Sequence, residues 1–264
     1  MPQKHLFRFS FKNQKRIAIT EEFAHLMALE EELKNADDIL SKSFPLHTIP
    51  VDFEGRDDKG YDEYTRDAMQ QFGNIVYVRP ETRKLEIAIR KAGYRSRIVR
   101  NKHMSEGGQV VDGNKFCLVS DIIKSEIISR IANDASMPVY PIHSFTSPYH
   151  SHIDCDYGIV DAARILYTTL RIGPELYLGE PEDTSRRILY SIAAETDYQP
   201  RKYLNGRHPN GINFITSDNA LFTTGMHHEE IIHLKTHGIE VVEIPLRHVA
   251  AGAGLRCVYG EATF

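Results

Sequence analysis

Tryptophan is absent from the 264 residues, and cysteine occurs only at positions 117, 155 and 257. Three scattered thiols are too few for a disulfide framework, and they lack the Cys-x-x-Cys spacing of a zinc site. They fit a reducing, cytoplasmic setting in which one thiol can serve chemistry. Also missing is any apolar run near the ~20 residues that span a bilayer. The basic opening MPQKHLFRFSFKNQKRIAI is interrupted by charge before an apolar stretch can form, so it does not read as a signal peptide. The charge imbalance is slight, 32 basic against 36 acidic side chains, which leaves no broad basic field for nucleic acid. Low-complexity tracts and long linkers are lacking too. What is present, at 41% hydrophobic content, suffices for a full core. A single domain over residues 1–264 is expected, acting on a small molecule, with no membrane or nucleic-acid partner and its oligomeric state left open.

Short apolar runs of β type alternate with helical patterns along the chain. RIAIT (16–20) precedes a helical stretch at 21–40, whose Phe23, Leu26, Met27, Leu29, Leu33 and Leu40 fall near one face. FPLHTIPVDF (44–53), GNIVYVRP (73–80), a helix over 82–93 and RSRIVRN (95–101) continue the rhythm. Then come the hairpin VVDGNKFCLV, with its DGN turn, and helices near 125–134, 184–195 and 227–238. Gly93 and Gly238 stand where a helix ends and a strand begins, as glycines just past a helix C-terminus do. The recurring unit is strand, helix, strand, which places the chain in the α/β class. A last strand ending at Leu246 is expected to feed a small-residue loop that leads to Cys257.

Six segments contain chemistry-bearing residues. YTRDAMQQFGN places Asp67 ahead of a strand, where an aspartate commonly caps or turns the chain. SEGGQ sets Glu106 beside paired glycines, which allow backbone to approach a ligand closely. HSHIDCD carries His152 and Asp154, which share a face if the segment is a strand; His-x-Asp also suits acid–base work or a metal, but no further ligand cluster supports a metal. LRIGPE carries Arg171 between a strand and a turn, and RPETR carries Arg83. GAGLRC ends in Cys257. Each of these, taken singly, is an ordinary feature.

Their order is not ordinary. From about residue 60 onward the chain resembles the guanidine-modifying, or pentein, superfamily of arginine deiminases, amidinotransferases and dimethylarginine dimethylaminohydrolases. Thr-Arg-Asp with Gly-Asn, Glu-Gly-Gly, His-x-Asp and a glycine-rich turn before cysteine follow one another as in that family. The resemblance implies an α/β-propeller of strand-strand-helix-strand modules in pseudo-fivefold arrangement. It implies Cys257 as nucleophile, His152 as acid and base, and Asp67, Glu106 and Asp154 as carboxylates around a guanidinium; Glu106 is grouped with the catalytic set. Arg83 and Arg171 are the candidates for a substrate carboxylate. No metal or organic cofactor is implied. The physical logic is consistent: a guanidinium is a planar cation with five N–H donors, and carboxylates match it with charge-assisted, bidentate hydrogen bonds. Hydrolysis to a ureido product is expected; amidino transfer to an amine, or guanidinium binding without turnover, are the alternatives. The chain departs from the family at Gln109, where aspartate usually closes Glu-Gly-Gly-Asp, and at Arg256, where several relatives have histidine. The family's Arg-Thr pair after the Cys117 strand is also missing.

Overall fold

The computed structural model describes residues 3–10, 21–51, 65–105, 107–145, 152–170, 181–203, 212–246 and 254–264. Among these, the strands form five three-stranded sheets, all with one topology. In each sheet the first strand runs antiparallel to the second, and a helix carries the chain across to a third strand parallel to the second. This is the strand-strand-helix-strand unit that the family resemblance implied.

The residues group into two compact units, 1–107 with 244–264, and 108–243. In the first unit, β1 (Lys4–Ser10), α1 (Glu21–Leu40) and β2 (Leu46–Pro50) form one module, whose first strand comes from the far end of the chain. The second module comprises β3 (Met69–Phe72), β4 (Ile75–Val78), α2 (Arg83–Lys91) and β5 (Arg97–Arg100), with the short helix α3 (Lys102–Ser105) after it. Phe7, Phe9, Ile49, Met69, Val76, Val78, Leu85 and Ile89 belong to the apolar cluster that joins these sheets and α2.

The second unit holds three modules. One consists of β6 (Val110–Asp112), β7 (Cys117–Ser120), α4 (Ser125–Ala135) and β8 (Val139–Ile142). Next come β9 (Tyr157–Val160), β10 (Ile165–Thr168), α5 (Pro181–Glu195) and β11 (Gln199–Lys202). The last is β12 (Ile215–Thr216), β13 (Ala220–Thr223), α6 (His228–Thr236) and β14 (Glu240–Glu243). Returning to the first unit, the chain forms α7 (Leu255–Val258) and β15 (Gly260–Thr263), and β15 pairs antiparallel with β1, Lys4 opposite Thr263 and Phe7 opposite Gly260.

Several expectations are corrected here. His152 and Asp154 do not share a strand face: residues 153–155 form a 3-10 turn, and β9 starts only at Tyr157. The strand before Cys257 ends at Glu243 rather than Leu246, and a further strand follows the cysteine. Met27 is exposed, although Leu29, Leu33 and Leu40 of the same helix are buried as expected. Strands β1, β8 and β11 went unread in the sequence because Arg8, Pro141 and Pro200 break their apolar pattern; β8 and β11 are outer strands of their sheets, where proline is tolerated. Gly93 and Gly238 adopt φ of 111° and 75°, the positive values that a helix-ending glycine supplies. The expected strand at 16–20 lies outside the described residues. Among the described residues no helix is long and apolar enough to cross a membrane.

Candidate active site

One structural position recurs in every module: the lead-in to its first strand. Thr65–Ala68 is a 3-10 turn running directly into β3, and Gly107–Gln109 is another running into β6. The turn at 153–155 precedes β9, Ile212–Phe214 precede β12, and α7 precedes β15. Asp67, Glu106, His152 with Asp154, and Cys257 all fall within five residues before such a strand. Four motifs far apart in sequence are thus equivalent in the repeat.

In the first unit, Cys257 is buried at 8% exposure on α7, with its backbone N–H donating to the Gly254 carbonyl at 3.2 Å. None of the three cysteines is in a disulfide. Helix α7 packs against the 65–68 turn, on which Asp67 is half-buried between Arg66 and Ala68, both buried. Thr65 ties that turn to β1 by accepting from the Phe9 N–H at 2.9 Å. Two ionic tethers flank Cys257. On one side Arg256 donates from Nε to Glu261 Oε1 at 2.9 Å, and Lys4 reaches Glu261 Oε2 at 2.8 Å. Burial alone would raise the Glu261 carboxyl, but Lys4, Arg256 and Arg66 outweigh it and hold the group well below the usual range. Arg256, the departure from the family pattern, therefore serves as an anchor to β15. On the other side the Tyr259 hydroxyl donates to Asp37 Oδ1 at 2.9 Å. Arg8, fully buried, grips Asp37 through Nε at 2.8 Å and Nη2 at 2.6 Å, and reaches Glu30 through Nη1 at 3.1 Å. Burial and the Asp37 charge push the Tyr259 hydroxyl well above its ordinary pKa, so it remains a donor.

In the second unit, the middle residue of His-Ile-Asp fixes the motif. Ile153 is wholly buried in a cluster with Leu118, Tyr157, Leu166 and Leu189, while half-buried His152 precedes the turn and Asp154 lies 1% exposed within it. A second aspartate braces the turn. Asp156 Oδ2 accepts from Ser144 Oγ at 2.9 Å and from the Phe145 N–H at 2.7 Å, and Oδ1 accepts from Thr169 Oγ1 at 2.7 Å. The Ser144 hydroxyl also lies 3.2 Å from the His152 carbonyl. The Gly-Gly pair explains itself in part here. A Cβ at Gly108 would stand 2.4 Å from His152 Nδ1, so only glycine lets this backbone lie against the imidazole; a Cβ at Gly107 would collide with Arg66. The close approach anticipated for a ligand is made to these two side chains.

The carboxylate of Asp154 has a partner the sequence reading did not single out: Asn213 Nδ2 donates to Asp154 Oδ2 at 2.9 Å, and both residues are 1% exposed. Ser144, Asp156 and Thr169 were likewise not singled out; only Asp156, the second aspartate of HIDCD, left a visible signal. Cys257 and Asp67 belong to the first unit, and His152 and Asp154 to the second. Arg83 stands exposed at the start of α2, and Glu106 and Arg171 lie outside the described residues. An open groove of about 540 Å³ between β2 and α2, lined by Ile49, Lys84, Ile87 and Lys91 among others, includes none of the candidate residues.

No family model and no curated protein matches the sequence. Solved structures do match. The N-terminal domain of ArgZ, an arginine dihydrolase of cyanobacteria determined as a cysteine-to-serine mutant bound to substrate, superposes with TM-score 0.70 at 11% identity, over 98% of this chain and 98% of that one. DDAH from Pseudomonas aeruginosa, a cysteine-to-serine mutant complexed with citrulline, gives 0.64 at 11% identity, over 99% and 100%. The chain has the pentein fold. Against full-length ArgZ, at TM-score 0.68 and 12% identity, 98% of this chain covers only 39% of the other. The chain thus spans about two fifths of that longer pentein protein and nearly all of its N-terminal domain. At such identities the likeness speaks to the fold, and the recurring lead-ins are this chain's own feature.

Proposed function

We propose that this chain is a hydrolase acting on the guanidinium carbon of arginine or an arginine-like substrate. The observation that supports the reading is that Thr-Arg-Asp, the Gly-Gly of Glu-Gly-Gly, His-Ile-Asp and Gly-Leu-Arg-Cys each lie in the few residues leading into a module's first strand. Support also comes from the compounds held by proteins of like fold: citrulline in DDAH, and substrate or a covalent reaction intermediate in the N-terminal domain of ArgZ.

In the proposed cycle Asp67, Glu106 and Asp154 hold the guanidinium, whose positive charge lowers the pKa of the Cys257 thiol. The thiolate attacks the guanidinium carbon and forms a tetrahedral adduct. His152 protonates the leaving nitrogen, a step worth roughly 10²–10⁴-fold for a well-placed acid. The C–N bond breaks, and an amidino group remains on sulfur. His152 then takes a proton from water as the water adds to that carbon. Collapse expels the thiolate and releases a ureido product.

The test is an intact-mass screen of guanidino compounds for an adduct on Cys257, together with product analysis. Ureido product with released ammonia or amine is expected, and Cys257→Ser should abolish turnover in a folded protein. Ornithine with an amidinated acceptor would instead identify a transferase. Turnover like the unmutated protein's in Cys257→Ser, or alkylation of Cys257 no faster by a haloacetamidine than by iodoacetamide, would overturn the reading.

A further inference from the structure

The lead-ins of four modules carry the residues named so far, and the fifth carries Asn213. We propose that Asn213 is a positioning residue for guanidinium recognition, acting by orienting the Asp154 carboxylate. The proposal rests on the assignment of Asp154 to guanidinium binding.

Three observations support it. First, Asn213 stands two residues before β12, in the position where every other module presents a candidate group. Second, its neighbours fix its direction. Ile212 and Phe214, at 1% and 4% exposure, are sunk in the apolar cluster with Tyr167, Leu221 and Leu234, and the intervening side chain meets Asp154 instead. Third, the close packing is built in. A Cβ at Gly158 would stand 2.7 Å from Phe214 Cζ and 2.9 Å from the Ile212 carbonyl, so the glycine lets β9 and this lead-in meet closely.

The chemistry of an amide suits the task. A carboxylate is acceptor-only, so the contact must be made by the Nδ2–H, and it fixes the plane of the carboxylate. The amide brings no charge of its own. A lysine at the same place would also hold Asp154, but it would cancel the negative charge a guanidinium needs. Asparagine orients the acceptor and leaves its charge available to a cation.

The experiment uses the full chain in a Cys257→Ser background, with binding measured by calorimetry for L-arginine, which is cationic at its side chain, and L-citrulline, which is neutral there. Asn213→Ala should weaken arginine binding about 10- to 100-fold, the range for a lost hydrogen bond to a charged group. Citrulline binding should change by no more than about 3-fold, less than the loss of one neutral hydrogen bond. Asn213→Gln, which keeps the donor, should recover part of the arginine affinity. Should the variants fail to fold, the side-chain amide resonance of Asn213 in the Cys257→Ser protein takes their place, and it should shift on adding arginine but not citrulline. Equal weakening for both ligands, an unchanged arginine affinity, or an amide resonance indifferent to arginine overturns the positioning role alone. Failure of the Cys257→Ser protein to bind arginine or any other guanidino compound of the screen overturns the guanidinium assignment, and this inference with it.

Discussion

The turn bearing Cys257 and the turn bearing His152 and Asp154 are held by different physics. Around Cys257 the anchors are charged: Arg256 and Lys4 on Glu261, and Arg8 on Asp37 and Glu30, with Tyr259 joining the second group. Around His152 and Asp154 the anchors are an apolar plug, Ile153, and uncharged donors from Ser144, Phe145, Thr169 and Asn213 directed at aspartates. Ion pairs fix a helix of only four residues, all of them buried. Uncharged donors hold an aspartate in place without cancelling its charge, which suits the segment proposed to meet a cation.

Perturbations that strike one kind of anchor should sharpen this contrast or erase it. The largest effect is expected from Arg8→Met. It leaves Asp37 and Glu30 without their buried cation, so denaturant unfolding should show a loss of about 3–5 kcal/mol. Amide exchange should rise across 255–263 more than across 152–157; an equal rise in both segments would erase the distinction. Next is Ile153→Ala, which empties a fully buried site and should lose about 2–4 kcal/mol, with the exchange pattern reversed. Asp156→Asn is smaller, about 1–3 kcal/mol. One acceptor oxygen becomes a donor facing other donors, and turnover should fall more than stability does, as read by comparing kcat with the unfolding midpoint.

The smallest effect is on pH dependence, and it belongs to the charged region's own unit. His5 and His47 stack with ring centroids 5.2 Å apart and share a hydrogen bond of 2.9 Å between Nδ1 and Nε2. Burial holds both below their ordinary pKa, and His47 lowers His5 further. The unfolded chain therefore takes up protons first as pH falls below about 6.5, and stability declines from there downward. Glu261, depressed in the folded state, adds a second decline that begins near the ordinary glutamate value of about 4.3 and continues as pH falls further. Replacing both histidines by glutamine should reduce the slope of the unfolding midpoint between pH 5 and 7, leaving the share of His233, which burial and Arg201 also hold low, and leave the more acidic decline in place. A slope unchanged by that double substitution would remove the histidine pair from the account.

Much of the fold was legible because period and punctuation agree in most elements. The helices at 82–93 and 125–134 show apolar residues at helical spacing, and Gly93 and Gly238 mark the ends of the helices at 82–93 and 227–238. What escaped were strands whose pairing comes from elsewhere in the chain. β1 contains a buried arginine, which two acidic side chains of α1 and the Phe9 carbonyl make tolerable there. β11 reads Gln-Pro-Arg-Lys and owes its strand geometry to β10. At the site, motif order brought out the residues with distinctive chemistry. Asn213 and Ser144 were silent because asparagine and serine are common in loops, and only the fold reveals which carboxylate each one meets. The His-Ile-Asp geometry was misread for a related reason: alternation along a strand and a 3-10 turn both fit so short a motif, and the backbone hydrogen bonds from Cys155 to His152 and from Asp156 to Ile153 decide between them.

The pairing of β15 with β1 has a consequence in time. The antiparallel neighbour of the first strand lies more than 240 residues later in the sequence. At synthesis rates of roughly 5–20 residues per second, β1 waits on the order of tens of seconds for it. Each of the other four modules can complete its own sheet from a contiguous stretch as it is made. The module beside Cys257 cannot, so the thiol receives its ordered surroundings last, after the other four sheets have had the chance to form.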